Sequence, residues 1–135
     1  MFNPRNRQSR YIVFWLKRLL LAVLLMAPLG ASAETRLYMA EEAGCAWCAR
    51  WNAEIGPIYP KSVEGAAAPL HRFDMHGPAP ENVTFKYRIS FTPTFILVED
   101  GIEVGRIEGY PGEDFFWGLL GMLFEQAGIQ LEKTG

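Results

Sequence analysis

Cys45 and Cys48 are the two cysteines of this 135-residue chain, and an Ala-Trp pair separates them. With this spacing at the start of a helix, both thiols lie on the first turn and can form a disulfide with little bending of the chain. The free N–H groups and the dipole of a helix start stabilise an anion at the first cysteine, and such sites lower a cysteine pKa to roughly 3.5–7.5. We therefore expect Cys45 to be the exposed nucleophile and Cys48, more buried, to resolve the mixed disulfide.

Three other uses of these cysteines compete with redox chemistry. Structural zinc would add His71 and His76, but the 22 residues between Cys48 and His71 exceed the roughly 12–15 of zinc-finger patterns. A purely structural disulfide over two residues would restrain the unfolded chain very little. Copper capture by the two sulfurs and a histidine is the third use. The residues alone leave a copper-binding protein and a binding module with an inert disulfide open as alternatives.

A second motif, Thr92-Pro93-Thr94, stands directly before four consecutive apolar residues. A proline at the head of a central strand removes one ladder donor and restricts the residue before it. In the element order predicted below, this is the position of a cis-proline loop that faces the helix with the cysteines. A cis bond there would present the preceding backbone to an extended substrate segment. Thr92 and Pro93 are therefore predicted substrate-binding residues.

Three further residues are candidate substrate contacts. Trp47 lies between the cysteines and is expected to form a docking surface, unless it packs along the helix face shared with Trp51. Gly109 and Tyr110 follow the last predicted strand and are expected to form the other wall of a substrate groove near Pro93. Structural packing in a turn is the alternative for Tyr110.

The elements that must position these residues follow from the apolar periodicity and the turn signals. We predict strands over residues 35–40, 69–75, 95–98 and 102–108, and helices over residues 45–55, 81–88 and 115–127. Asp100-Gly101 predicts a hairpin turn, and Ser62 is a candidate cap of a short additional helix. The order predicts an α/β fold with a mixed central sheet and helices on both faces.

Charge and hydropathy divide the chain in two. Residues 1–33 combine five basic residues, no acid, a short apolar run and a small-residue exit, which predicts a secretory signal peptide cleaved after Ala33. An uncleaved N-terminal anchor is the alternative, and the periplasm is the expected location. Residues 34–135 hold all fifteen acids and eight bases, a formal charge of −7, which argues against nucleic-acid binding.

The motifs together resemble the thioredoxin superfamily over nearly all of residues 34–135. More narrowly, CAWCARWNAEI, FTPTF and RIEGYPGEDFFWGLL resemble the periplasmic thioredoxins of sulfur-oxidation (Sox) gene clusters. The resemblance implies a thioredoxin fold, a Cys45–Cys48 redox disulfide, and no metal or cofactor. It implies a reductant that keeps the carrier cysteine of SoxY–SoxZ reactive, with electrons from a membrane thiol carrier of the CcdA/DsbD kind. A periplasmic thioredoxin for other disulfide substrates is the alternative within this superfamily.

Some positions depart from the thioredoxin pattern. Gly44 replaces the tryptophan before the first cysteine, and Ala-Trp replaces Gly-Pro between the cysteines. Thioredoxins also carry a buried aspartate on the strand before the redox helix, where this chain has Leu37-Tyr38-Met39. We therefore expect proton transfer for the resolving thiol to involve Glu41, Glu42 or water.

Overall fold

The computed structural model describes residues 33–132. This part of the chain contains four strands, three α-helices and one 3₁₀ turn at Tyr59–Lys61. The elements are β1 (Thr35–Glu41), α1 (Ala46–Glu54), α2 (Val63–Ala67), β2 (Leu70–Asp74), β3 (Thr94–Glu99), β4 (Ile102–Glu108) and α3 (Glu113–Gln126). The predicted signal peptide lies outside the described residues. None of the helices between residues 33 and 132 has the length and apolar character needed to cross a bilayer.

The four strands form one sheet in the order β2-β1-β3-β4. β1 pairs parallel with β2, and the β1–β3 and β3–β4 pairs are antiparallel, so the predicted mixed sheet is confirmed. Residues 95–98 of β3 are all buried, as expected for a central strand with both faces covered. The hairpin from β3 to β4 turns at Asp100 (φ 49°) and Gly101 (φ 80°). This pair of positive φ values is why an Asp-Gly dipeptide stands there.

Both long helices pack on one face of the sheet. Trp51 of α1 and Phe116 of α3 are fully buried, and their ring centroids lie 5.8 Å apart. The ring of Phe95 on β3 lies 5.2 Å from that of Trp51 and 4.9 Å from that of Phe116. This aromatic cluster holds α1, and with it the two cysteines, against the centre of the sheet.

The second face of the sheet is covered by an irregular segment, so the helix predicted over residues 81–88 is wrong. Val83, Phe85 and Ile89 pack against Tyr38 and Ile96, and no helix interrupts residues 75–93. β-branched and aromatic residues lose side-chain freedom in a helix, and the backbone groups here find partners from β4 instead. The predicted α/β fold class, a mixed central sheet with helices, is confirmed, and between residues 33 and 132 this irregular segment lies on the second face where a helix was predicted.

Two local predictions near the site are confirmed. Ser62 caps α2, because its hydroxyl accepts a hydrogen bond of 2.9 Å from the Gly65 N–H. The redox helix begins one residue later than predicted, at Ala46, and Cys45 is its N-cap. Trp51 and Ile55 of the predicted apolar face are fully buried, whereas Trp47 is 54% exposed. Trp47 therefore does not share the core packing of Trp51, and its role as a docking surface stays a prediction.

Candidate functional site

Cys45 and Cys48 are joined by a disulfide at the start of α1. Their Cα atoms lie 5.2 Å apart, because the N-cap and the third helical residue lie on the same turn. The backbone N–H of Cys48 donates a hydrogen bond of 3.1 Å to Cys45 Sγ. Gly44, with φ +78°, turns the chain from β1 into this helix in a conformation that glycine adopts without strain. The sulfur at the N-cap therefore faces the unpaired amides of the helix start, which favour a thiolate.

The two sulfurs differ in burial. Cys48 is only 4% exposed and belongs to the core that the long helices form, whereas Cys45 is partly exposed at its edge. A sulfur of another molecule can approach Cys45, while the body of the protein covers Cys48. This asymmetry suits a site in which one cysteine reacts with the outside and the other reacts only with its neighbour.

The Thr92–Pro93 loop is held by backbone contacts to the end of β4. The Thr92–Pro93 peptide bond is cis, Pro93 is buried, and its carbonyl accepts a hydrogen bond of 2.7 Å from the Gly109 N–H. The Thr94 hydroxyl donates to the Phe91 carbonyl at 2.7 Å. The structure thus brings together the predicted residues Thr92, Pro93 and Gly109, which lie at the head of β3 and just after β4.

Glu42 connects this loop to the redox helix. Thr92 Oγ1 donates a hydrogen bond of 2.6 Å to one oxygen of Glu42, and His76 Nε2 lies 2.8 Å from the other. The Glu42 carbonyl accepts the N–H of Cys45 at 3.3 Å. The Thr92 hydroxyl, and then His76, lowers the pKa of Glu42, so the carboxylate is charged at neutral pH. Glu42 therefore ties the proline loop to the loop that precedes Cys45.

The other candidate for proton transfer, Glu41, is held differently. Its two carboxylate oxygens accept hydrogen bonds from Arg72 at 3.0 and 2.7 Å. Arg72 also donates to the side-chain oxygen of Asn52 on α1. Glu41 thus joins β1, β2 and α1 in an ion-pair network, while Glu42 makes the direct contact to the Thr92–Pro93 loop.

The predicted substrate contact of Tyr110 needs correction. Its side chain is 5% exposed, and its hydroxyl donates a 2.5 Å hydrogen bond to Glu54 of α1. Burial, and then the bond to Glu54, raises the pKa of Tyr110. Arg50 donates to the other oxygen of Glu54 at 2.9 Å, and its guanidinium lies 5.7 Å from the Trp47 ring centroid. Tyr110 therefore anchors the loop after β4 to the redox helix, and its ring is not available to a substrate.

The histidines of the zinc alternative lie in other contacts. His71 Nε2 is 2.9 Å from Arg36 Nη1, and His76 contacts Glu42. Within residues 33–132, no three His, Cys, Asp or Glu side chains form a group that could hold a metal ion. The four-ligand zinc site is therefore not assembled. Copper binding by the two sulfurs stays a prediction.

Sequence reasoning missed the contact between Glu42 and Thr92. The two residues are 50 positions apart, and the Glu42–His76 pair spans 34 positions. The sequence makes Glu42 a candidate for proton transfer and His76 a candidate zinc ligand. Neither the Glu42–Thr92 spacing nor the Glu42–His76 spacing indicates a contact. The one available signal was a threonine before the proline, since a hydroxyl at that position can reach a neighbouring loop.

Comparisons with known proteins agree with this geometry. No protein-family model matches the chain, and no curated protein matches it significantly. Among solved structures, the reduced form of the periplasmic thioredoxin SoxS from Paracoccus pantotrophus is similar, with 52% sequence identity and a TM-score of 0.68. The match covers 70% of this chain and 99% of that protein.

Proposed function

The chain belongs to the family of periplasmic thioredoxins that includes SoxS and is a thiol-disulfide oxidoreductase, and from this premise we propose that it reduces a partner protein through Cys45 and Cys48. The unequal burial of the two sulfurs carries this proposal, since Cys45 is partly exposed and Cys48 is 4% exposed. Cys45 is the nucleophile because a partner sulfur can reach it, and Cys48 is the resolving thiol because only Cys45 is within its reach.

The reaction begins with the Cys45 thiolate, which the Cys48 N–H and the other amides of the helix start stabilise. The thiolate attacks one sulfur of the partner disulfide, which forms a mixed disulfide and releases the other sulfur as a thiolate that takes up a proton. Cys48 then loses its proton, and its sulfur attacks Cys45 Sγ. This step forms the Cys45–Cys48 disulfide and releases the second partner thiol. Two electrons pass from the protein to the partner.

The substrate segment lies along the Thr92–Pro93 loop in this proposal. The hydrogen bonds of Gly109 to Pro93 and of Thr92 to Glu42 hold this loop beside the redox helix. The backbone before Pro93 pairs with an extended segment around the partner cysteine. Trp47, which is 54% exposed, supplies an apolar contact on the other side of the nucleophile.

The similarity to a periplasmic Sox thioredoxin supports the partner and the electron donor that we propose. The partner is a protein with a disulfide or a sulfur adduct on a cysteine, of the SoxY–SoxZ type. When the cysteine instead carries a thiol bound through an S–S bond, attack of Cys45 on the carrier sulfur releases that thiol, and attack of Cys48 on Cys45 Sγ then restores the carrier thiol. A membrane dithiol of the CcdA/DsbD kind then reduces the Cys45–Cys48 disulfide by attack on Cys45. The reaction takes place in the periplasm after cleavage of the signal peptide behind Ala33.

Trapping of the mixed disulfide tests the roles of the two cysteines. The Cys48→Ser variant should accumulate a covalent complex with purified SoxY–SoxZ whose carrier cysteine is blocked by a disulfide. The matched Cys45→Ser variant should form none and should lose reductase activity. The complex should disappear with dithiothreitol on a non-reducing gel. Full reductase activity of Cys45→Ser, or equal trapping by both variants, would show that the roles are wrongly assigned.

The same preparation distinguishes the copper alternative. A redox protein should turn over a small disulfide substrate repeatedly with a dithiol donor, and added Cu(I) should only inhibit it. Stoichiometric, tight Cu(I) binding by the reduced wild type without turnover of any disulfide would favour copper delivery instead.

A further inference from the structure

Some basic side chains of this acidic domain form ion pairs, and others form none. Arg36, Arg50, Arg72 and Arg106 each form an ion pair with a glutamate. Among residues 33–132, Lys61, Lys86 and Arg88 form none. Two of these three free cations therefore lie within one short segment, on a domain whose other exposed charges are mostly acidic.

This segment, residues 84–91, is anchored to the sheet by apolar contacts near each end. Phe85 and Ile89 point into the sheet, and the ring of Phe85 stacks on Phe73 with centroids 5.6 Å apart. Between these two anchors, Lys86, Tyr87 and Arg88 are all exposed. The backbone is therefore fixed at both ends, and the three side chains between the anchors face solvent.

A buried ion pair on β4, Glu103–Arg106, also binds the backbone of this segment. Glu103 is 1% exposed, and its carboxylate accepts hydrogen bonds from Arg106 at 2.7 Å and from the Lys86 N–H at 2.7 Å. Arg106 donates to the carbonyls of Tyr87 at 2.9 Å and Arg88 at 3.3 Å. Its guanidinium also lies 5.7 Å from the centroid of the Tyr87 ring. Side chains of β4 thus satisfy the backbone of an irregular segment that displays two cations and an aromatic ring.

The segment runs directly into the predicted substrate loop. Phe91 is 62% exposed and precedes Thr92, and its carbonyl is held by the Thr94 hydroxyl. Tyr87 is 69% exposed. Free cations and exposed aromatic rings therefore continue from the Thr92–Pro93 loop along one stretch of chain.

We propose that Lys86, Tyr87, Arg88 and Phe91 form a docking surface for an acidic segment of the protein substrate that flanks its reactive cysteine. This inference rests on the proposed function and names the chemistry of its partner. Carboxylates of the substrate pair with Lys86 and Arg88, and apolar side chains between them contact the two rings. Because apolar contacts and hydrogen bonds hold the segment to the sheet, it should lose little conformational entropy on binding. The two cations also attract acidic segments to a protein that otherwise repels them.

A pair of disulfide-linked peptides with the same cysteine core tests this surface. One peptide carries Asp and Glu on both flanks, and the other carries Lys at the same positions. The wild type should reduce the acidic peptide with a higher kcat/KM, and the difference should shrink as NaCl rises from 20 to 500 mM, since salt screens exposed charges. The Lys86→Glu/Arg88→Glu variant should lose about tenfold in kcat/KM for the acidic peptide at low salt and should gain for the basic one.

Lys61→Glu is the matched control, since Lys61 is an exposed, unpaired cation on the 3₁₀ turn. It should leave the selectivity between the peptides unchanged. Turnover of the neutral bis(2-hydroxyethyl) disulfide should be equal in all three proteins, which confirms intact folding and redox chemistry. Failure of every protein on this small disulfide would refute the proposed function itself. Equal selectivity in the double variant and the control, with the small disulfide still reduced, would overturn the docking surface alone. The docking surface would also be overturned if the wild type bound anionic vesicles and the double variant did not, while both proteins showed the same selectivity between the two peptides.

Discussion

The two faces of the central sheet are covered in different ways. On one face, α1 and α3 bury aromatic and aliphatic side chains against β1 and β3. On the other, a segment without helix is held by two apolar anchors and by the Glu103–Arg106 pair. The helix-covered face supports the two cysteines through apolar packing, while the other face uses polar contacts to hold a segment that leads to Pro93. Cys45 and the Thr92–Pro93 loop lie where the helical layer and the irregular segment meet.

This difference explains the role of Glu42. The redox helix belongs to the first face, and the Thr92–Pro93 loop continues from the cover of the second. The hydrogen bond between Glu42 and Thr92 joins them at 2.6 Å. Cys45 and the Thr92–Pro93 loop are positioned by separate packing layers, and this hydrogen bond is a direct contact between them.

The largest expected loss of stability comes from the helix-covered face. Phe116→Ala removes a fully buried ring that contacts Trp51 and Phe95, so it should lower the free energy of unfolding by about 3–5 kcal/mol. Phe115→Ala is the matched control, because Phe115 is 71% exposed, and it should change stability by less than about 0.5 kcal/mol. Urea unfolding followed by tryptophan fluorescence measures both. Similar losses in the two variants would mean that α3 does not pack as described.

On the second face, we expect stability to depend on a buried ion pair rather than on the volume of an apolar side chain. Glu103→Ala leaves Arg106 buried without its main partner and should destabilise the protein by about 3 kcal/mol. The double variant Glu103→Leu/Arg106→Met should recover part of this loss, because no unpaired charge remains. Chemical unfolding of both variants at pH 7 measures the effect. A double variant less stable than the single one would contradict the proposed source of the loss.

The same pair predicts a pH dependence. Burial would raise the pKa of Glu103, but the hydrogen bonds from Arg106 and Lys86 outweigh it, and the pKa is lowered below its usual value. A carboxyl with a lowered folded pKa contributes stability above its unfolded pKa, and this contribution is lost as the pH falls through the folded pKa. Stability of the wild type should therefore fall on acidification below about pH 4.5, and Glu103→Gln should show a shallower fall in acid urea titrations.

The hydrogen bond between Thr92 and Glu42, which joins the two packing layers, should affect activity more than stability. Thr92→Val removes the hydroxyl that binds Glu42 while keeping the shape of the side chain. We expect kcat/KM for a peptide disulfide to fall by about threefold to tenfold through looser positioning of the loop. Glu42→Gln, which can still accept the hydrogen bond, should retain most of the activity. Equal loss in both variants, or none in Thr92→Val, would contradict a positioning role for this contact.

The smallest effect is expected at Tyr110. Tyr110→Phe removes the hydrogen bond to Glu54 but keeps the buried ring, so it should cost about 0.5–1 kcal/mol of stability. Its KM for a peptide disulfide should not change, since the ring does not face the substrate. A raised KM with unchanged stability would return Tyr110 to the substrate groove, where the sequence had placed it.

The sequence predicts an element correctly wherever residues close together in the chain determine that element. The continuous apolar run of β3, the Asp-Gly hairpin and the Ser62 cap are local signals, and each element formed as predicted. The helix expected over residues 81–88 failed because the partners of its backbone, Glu103 and Arg106, lie 15 or more residues further along the chain. Long-range side-chain contacts outweighed a weak local preference.

The sequence by itself determined the chemistry: two sulfurs on the first turn of a helix, and a proline at the head of a buried strand. These features depend on residues close together in the chain, whose spacing sets their geometry. Only the tertiary structure decided that Tyr110 points inward, that Glu42 binds Thr92, and that Lys86 and Arg88 are exposed and form no ion pair within residues 33–132. Such contacts depend on strand register and on which layer covers each face, and side chains distant in the chain meet only after both are established.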